Sequence, residues 1–228
     1  MSDSGGSAEG KPVRAALPAS RAKLSAQLRP ALLSVLVLTV LTGCVFPLLL
    51  YAIGRPLFPR QAAGSLVTSG NTILGSHLIG QEFARPEYFH PRPSAAGNGY
   101  DATASGGTNL GPNNLKLTSG AADFKGIRQL AAEYRKRNGL ADDTPIPIDG
   151  VTRSASGLDP DISPANAALQ TSRVARARGV SEEAVRRLVL AHTRGRQLGF
   201  LGYPRVPVLE LNLALDQAFK PAAPANSR

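Results

Sequence analysis

Between Ala31 and Ile53 the chain runs for 23 residues without a charge, ALLSVLVLTVLTGCVFPLLLYAI. At 1.5 Å per residue a helix of this length reaches about 35 Å, more than the roughly 30 Å hydrocarbon core of a bilayer. A secretory signal has an apolar region of about 7 to 15 residues and an A-x-A-like cleavage site. This run is longer and ends at Gly54-Arg55-Pro56. A retained membrane anchor is therefore expected, with residues 29–54 as the transmembrane helix. Residues 1–28, rich in Ser, Gly, Ala and Pro without apolar periodicity, have too little to bury to offset ordering entropy and are expected to form a disordered cytoplasmic tail. Lys11, Arg14, Arg21, Lys23 and Arg29 precede the apolar run, and only Arg55 and Arg60 follow it before Arg85. The flanking-charge rule then places the N-terminus in the cytoplasm and residues 55–228 outside. Thr39, Gly43 and Pro47, with Val35, recur every four residues as a stripe of modest side chains along which another helix can pack closely.

The alternative is a surface lipoprotein that binds a partner or ligand. Leu41-Thr42-Gly43-Cys44 resembles the lipobox at which bacterial lipoproteins are cut and acylated on cysteine. Cleavage there would leave Val45 to Ile53, mostly large apolar residues, where lipoproteins carry a polar tether. Cys44 is the only cysteine, so no internal disulfide forms. The formal charge of +10 is spread along the chain. Nucleic acid is one partner for a basic protein, but no helix-turn-helix, zinc, RNP or KH signature accompanies the charge, so none is expected. Anionic lipid head groups account for it more plainly.

Beyond the anchor, Ser65 to Thr68 and Thr72 to Ile79 flank Ser69-Gly70-Asn71 and read as a hairpin. Pro86 to Gly120, with six glycines and four asparagines, is expected to be irregular backbone; such a long loop within a compact domain tends to be functional or disordered. Tyr88, Phe89, Tyr100 and Leu110 favour an ordered loop anchored to the body. Asp123 is expected to cap a helix with Phe124, Ile127, Leu130, Ala131 and Tyr134 on one face, stopping at Asn138-Gly139. Ser163-Pro164 opens a second helix that ends at Gly179, where Arg173, Arg176 and Arg178 suit the negative end of the dipole. Ser181 caps a third, with Val180 placed to staple against Val185, stopping near Gly195. A strand over Val206 to Leu209 leads into a closing helix from Leu211 to Phe219. The fold class expected is α+β, a mixed α/β soluble domain anchored by one N-terminal transmembrane helix.

Chemistry-bearing patterns are few. His77, His90 and His192 have no i,i+4 partner and no cysteine at a ligand spacing, so no metal site is expected. Gly106 to Gly111 has the glycine spacing of a phosphate-binding loop, but Pro112 stands where the lysine is needed. No G-x-S-x-G elbow occurs. Asp142, Asp143, Asp159 and Asp161 sit in turn-forming contexts. A binding subunit fits these observations better than an enzyme.

The motifs also fall in a recognisable order. After the anchor come Gly75-Ser76-His77-Leu78-Ile79-Gly80-Gln81, Pro86-Glu87-Tyr88-Phe89 and Arg92-Pro93-Ser94-Ala95-Ala96-Gly97. Then follow Ser105 to Pro112, Ser156-Gly157-Leu158-Asp159-Pro160, Arg173 to Arg178 and Val208-Leu209-Glu210-Leu211-Asn212. Together they resemble the C subunit of the Kdp potassium-transporting ATPase of bacteria, over about Arg29 to Phe219. Thr108 stands where serine is expected, and the tail is longer than usual. The resemblance implies a non-catalytic accessory subunit in the inner (cytoplasmic) membrane. Its partners would be a channel-like potassium-translocating subunit and a P-type ATPase subunit, with Arg92, Ser94, Tyr100, Thr108, Asn109 and Leu110 as partner-binding residues. The family is described as a catalytic chaperone that raises the ATPase subunit's affinity for ATP, which carries over a nucleotide association to Ser156, Gly157 and Gln170. The charge asymmetry opposes direct contact, because cytoplasmic ATP cannot reach a domain outside. No cofactor is expected to bind firmly, and ATP association is expected through the ATPase subunit.

Overall fold

The computed structural model describes residues 24–219 and divides at Phe58 into two units. The expected tail lies, up to residue 23, outside the described residues, while residues 24–28 are helical. The first unit is an unbroken helical run: α1 (Leu24–Val40), a π turn (Leu41–Val45) and α2 (Phe46–Leu57). Pro47 explains the π turn. It has no N–H for the Gly43 carbonyl, and its ring crowds that oxygen. The helix widens just ahead, where the Phe46 N–H reaches back five residues to the Leu41 carbonyl. Large apolar side chains are exposed on every side of this run, as a lipid-facing helix requires. From Ala26 to Leu57 it is long and apolar enough to cross a membrane.

The second unit begins with a short helix, α3 (Pro59–Ala62), and the expected hairpin. Strands β1 (Leu66–Ser69) and β2 (Thr72–Ser76) pair antiparallel from Leu66 opposite Ser76 to Ser69 opposite Thr72. Gly70 turns the chain with φ +58°. Irregular backbone follows until α4 (Leu115–Ser119), a single turn capped by the Asn114 side chain, which accepts from the Lys116 N–H. Next come α5 (Ile127–Asn138), a 3-10 turn (Ile148–Gly150) and the two-residue strand β3 (Asp161–Ile162). The last elements are α6 (Pro164–Arg178), α7 (Glu182–His192), β4 (Val206–Pro207) antiparallel to β3, and α8 (Val208–Ala218). The mixture of helices and small sheets is the α+β class expected.

Helix boundaries follow the chemistry of their caps. Ser163 accepts from the Asn166 N–H at 3.1 Å, Pro164 fills the first turn, and Gly179 ends α6 at φ +67°. Ser181 accepts from the Ala184 N–H at 3.3 Å. Val180 packs with Val185 against the core, as the staple predicts. Several expected boundaries move: the apolar helix runs from Leu24 to Leu57, β2 ends at Ser76 short of Ile79, α4 takes up part of the segment expected to be irregular, and the starts of α5 and α8 shift. Helix α5 is capped at Gly126, not Asp123, because the Gln129 side chain accepts the Gly126 N–H at 2.7 Å; Asp123 instead pairs with Lys116 at 3.1 Å. Helix α8 takes Val208 and Leu209 out of the expected strand, since β4 has only β3's two residues to pair with. The core joins α6, α7 and α8 through Val174, Val185, Leu211 and Leu215, with Phe89 inserted from the irregular segment and fully buried.

Candidate partner-binding site

Phe89 brings buried backbone into the core with no neighbouring strand to satisfy it, and a buried amide left unpaired is costly. Side chains take the strand's place. Asn212 on α8 accepts from the Phe89 N–H at 2.8 Å and donates to its carbonyl at 2.9 Å. Gln170 on α6 does the same for His90, at 2.7 and 3.0 Å. Arg173 donates to the carbonyls of Pro86 and Tyr88, and also to Asn138 and Gln170. Arg178 donates to the Glu87 and Phe219 carbonyls and pairs with Asp216 at 2.8 Å. Burial lowers the Arg173 guanidinium to about 10, still protonated at neutral pH, so carbonyl dipoles hold its charge.

The segment that leaves this clamp is crossed by residues 154–160. Arg92 pairs with Asp159 at 2.7 Å, and its carbonyl accepts the Tyr100 hydroxyl. The Ser94 hydroxyl donates to the Gly157 carbonyl at 2.6 Å and accepts from the Ala96 and Tyr100 N–H groups. Ser105 and Gly106 both donate to the Ser156 carbonyl at 2.9 Å. Gly157 has φ +69°, and a Cβ there would stand 2.6 Å from the Ala96 nitrogen and 2.7 Å from the Gly106 carbonyl. Only glycine lets the two segments cross so closely. Burial raises the Tyr100 phenol above its ordinary range, with Glu82 adding to the effect, so it stays a neutral donor.

Beside the crossing lies a polar cleft of about 290 Å³ lined by His90, Arg92, Tyr100, Arg137 and Arg153, with Gln170 among its walls. His90 is lowered to about 4, by burial first and the Arg173 charge second. Its Nε2 faces the Arg85 carbonyl at 3.0 Å and its Nδ1 faces the Arg137 guanidinium at 3.2 Å, which fits a neutral ring protonated on Nε2.

The structure thus gathers Arg92, Ser94, Tyr100 and Gly157 into one knot. Thr108 and Leu110 are half-buried and Asn109 is exposed at φ +50°, along the segment that leaves the knot. Gln170 is 1 % exposed, with both amide hydrogens and the carbonyl oxygen bonded inside the chain, while Ser156 is exposed. His77 pairs with Glu210, and the His192 Nδ1 faces the Leu188 carbonyl of its own helix. Sequence reasoning missed Asn212, and it read Arg173 and Arg178 as charges at a helix end. The available signal was their position on the apolar faces of α6 and α8.

Comparison with known proteins supplies the class of this clamped scaffold and its apolar N-terminal helix. Residues 28–217 match the family model KdpC, described as K+-transporting ATPase, c chain. The potassium-transporting ATPase KdpC subunit of Koribacter versatilis is 52 % identical over 186 residues, covering 82 % of this chain and 92 % of that one. The Mycobacterium tuberculosis KdpC subunit is 52 % identical over 191 residues, covering 84 % and 98 %. That of Caulobacter vibrioides is 52 % identical over 198 residues, covering 86 % and 95 %. The chain belongs to the KdpC family, the c chains of potassium-transporting ATPases.

Proposed function

We propose that this chain is a non-catalytic accessory subunit of a high-affinity, ATP-driven potassium importer, needed for the pump's assembly and activity. The single helix holds it in the bacterial inner membrane, with the N-terminus inside and the domain outside. Its partners are a channel-like potassium-translocating subunit and a P-type ATPase subunit. ATP associates through the ATPase subunit, whose nucleotide affinity this chain raises as a catalytic chaperone. From outside the membrane that effect is a coupling through the pump's conformations, typically worth about 1–3 kcal/mol.

The observation that carries this reading is how the knot spends its polar groups. Arg92, Ser94, Tyr100, Gly157 and Gln170 bond within the chain, and along the segment that leaves the knot Asn109 is exposed at positive φ. That arrangement supports a role for the loop as the contact with a partner. Thr108, Asn109 and Leu110 make the contact, while Arg92, Ser94 and Tyr100 shape the loop. The test is to purify the pump through a tag on this chain. Two larger membrane subunits should accompany it, and Asn109→Ala should lower potassium-dependent ATPase activity several-fold while His192→Ala leaves it unchanged. Recovery of the chain alone, or full activity of Asn109→Ala beside loss in His192→Ala, would overturn the reading.

A further inference from the structure

Between α7 and β4 the chain makes a second hairpin. Arg194 and Arg205 exchange backbone hydrogen bonds at 2.8 and 2.9 Å, and Gln197 and Leu201 pair further out. At the tip Leu198 and Gly199 have φ of +52° and +82°, and the Phe200 N–H donates to the Gln197 carbonyl. This is the I′ pattern, in which glycine or asparagine normally takes the first central position. A leucine there is a backbone outlier. Its side chain gains no burial in return, for Leu198 is 83 % exposed, followed by Phe200 at 68 %, Leu201 at 47 % and Tyr203 at 80 %. Exposed apolar residues scattered singly need no explanation, but four within six residues on an ordered turn make a patch.

Charge narrows the occupant. From Ala184 to Leu209 the sequence has five arginines and no acid. Arg194 pairs with Glu210 and Arg205 with Asp161. Arg186 and Arg196 have no carboxylate partner among the described residues, and Arg196 lies over the Tyr203 ring at 5.5 Å. Phenylalanine and tyrosine with the uncompensated Arg196 beside them match the composition of an interface centre, and fixed backbone geometry suits a shaped protein socket more than a fluid bilayer. Resting on the reading above, we propose that the Arg194–Arg205 hairpin docks tip-first into an apolar socket with a carboxylate-bearing rim on another subunit of the same ATPase.

The whole complex tests this in membranes, with the photo-cross-linking residue p-benzoylphenylalanine placed at Phe200 so that an aromatic is kept at the tip. Irradiation should join this chain to another pump subunit. An adduct only with lipid, an adduct only with a second copy of this chain, or no adduct would overturn the proposal. In parallel, Phe200→Ser with Tyr203→Ser should lower recovery of the other subunits roughly tenfold or more, as loss of a central anchor does. Ile148→Ser, which removes an exposed apolar side chain elsewhere, should not. Leu198→Gly should keep the turn and the melting temperature yet reduce recovery. If the unsubstituted chain brings no other subunit with it, the accessory-subunit reading fails as well. If it does, and the tip variants bring as much, the hairpin proposal alone fails.

Discussion

His90 is 6 % exposed, next to the charges of Arg173 and Arg137, and held neutral to about pH 4. Its ordinary value, 6.5, applies in the unfolded chain. Above pH 6.5 the ring is neutral in both states and contributes no pH dependence. Between 6.5 and about 4 the unfolded chain takes up a proton that the folded chain refuses, so stability falls as pH falls, by roughly 1 kcal/mol per unit, and the loss levels off below about 4. Denaturant unfolding of the chain in detergent at pH 7 and pH 5 should show this drop, and His90→Gln should show a smaller one. Equal drops would assign the effect to other groups. At this scale the sequence was legible where a residue's own chemistry decides its place, as at Ser163, Gly179 and Ser181. It was not legible where a polar side chain stands in for a strand. Gln170, Asn212 and Arg173 are bound by backbone some 80 to 120 positions away, and no local pattern encodes that separation.

Among the elements, the membrane helix shows best how a local rule becomes a surface. Pro47 and the π turn it imposes sit beside Gly43, and a Cβ at Gly43 would meet nothing within 4 Å. A larger residue there therefore fits its own helix, and any effect must come from a neighbour. Gly43→Leu should weaken recovery of the assembled complex by on the order of 1 kcal/mol, severalfold, whereas Leu49→Ala should have little effect. Equal recovery of both variants would show that the stripe of Thr39, Gly43 and Pro47 faces lipid. Helix α6 was readable end to end because cap, proline and terminal glycine agree. The starts of α5 and α8 were not. One depends on the Gln129 side chain folding back to Gly126, and the other on β3 being too short to extend the pairing of β4.

For the molecule as a whole, the long apolar helix and the order of motifs were plain in the sequence, while the crossing of residues 92–107 by 154–160 emerged only from contacts between distant segments. On the function proposed above, orientation in the membrane decides how that folded unit reaches a pump driven by cytoplasmic ATP. Five cations stand before the apolar run, and Arg55 and Arg60 follow it. Arg55 lies within α2, its guanidinium over the Tyr51 ring at 5.6 Å and bonded to the hydroxyl, as a cation snorkelling towards an interface would be. The excess of cations at the N-terminal end favours that end inside. An enzyme reporter active only outside the cytoplasm, fused after Phe219, should therefore be active, and a reporter that works only inside should be silent at the same position. Changing Lys11, Arg14, Arg21, Lys23 and Arg29 to Gln should shift part of the population to the opposite orientation, because it removes the asymmetry without touching the apolar run. Activity of the inside reporter in the unchanged chain would put the domain in the cytoplasm. Ser156, exposed beside the knot, would then be within reach of ATP, and the coupling would no longer have to cross the membrane.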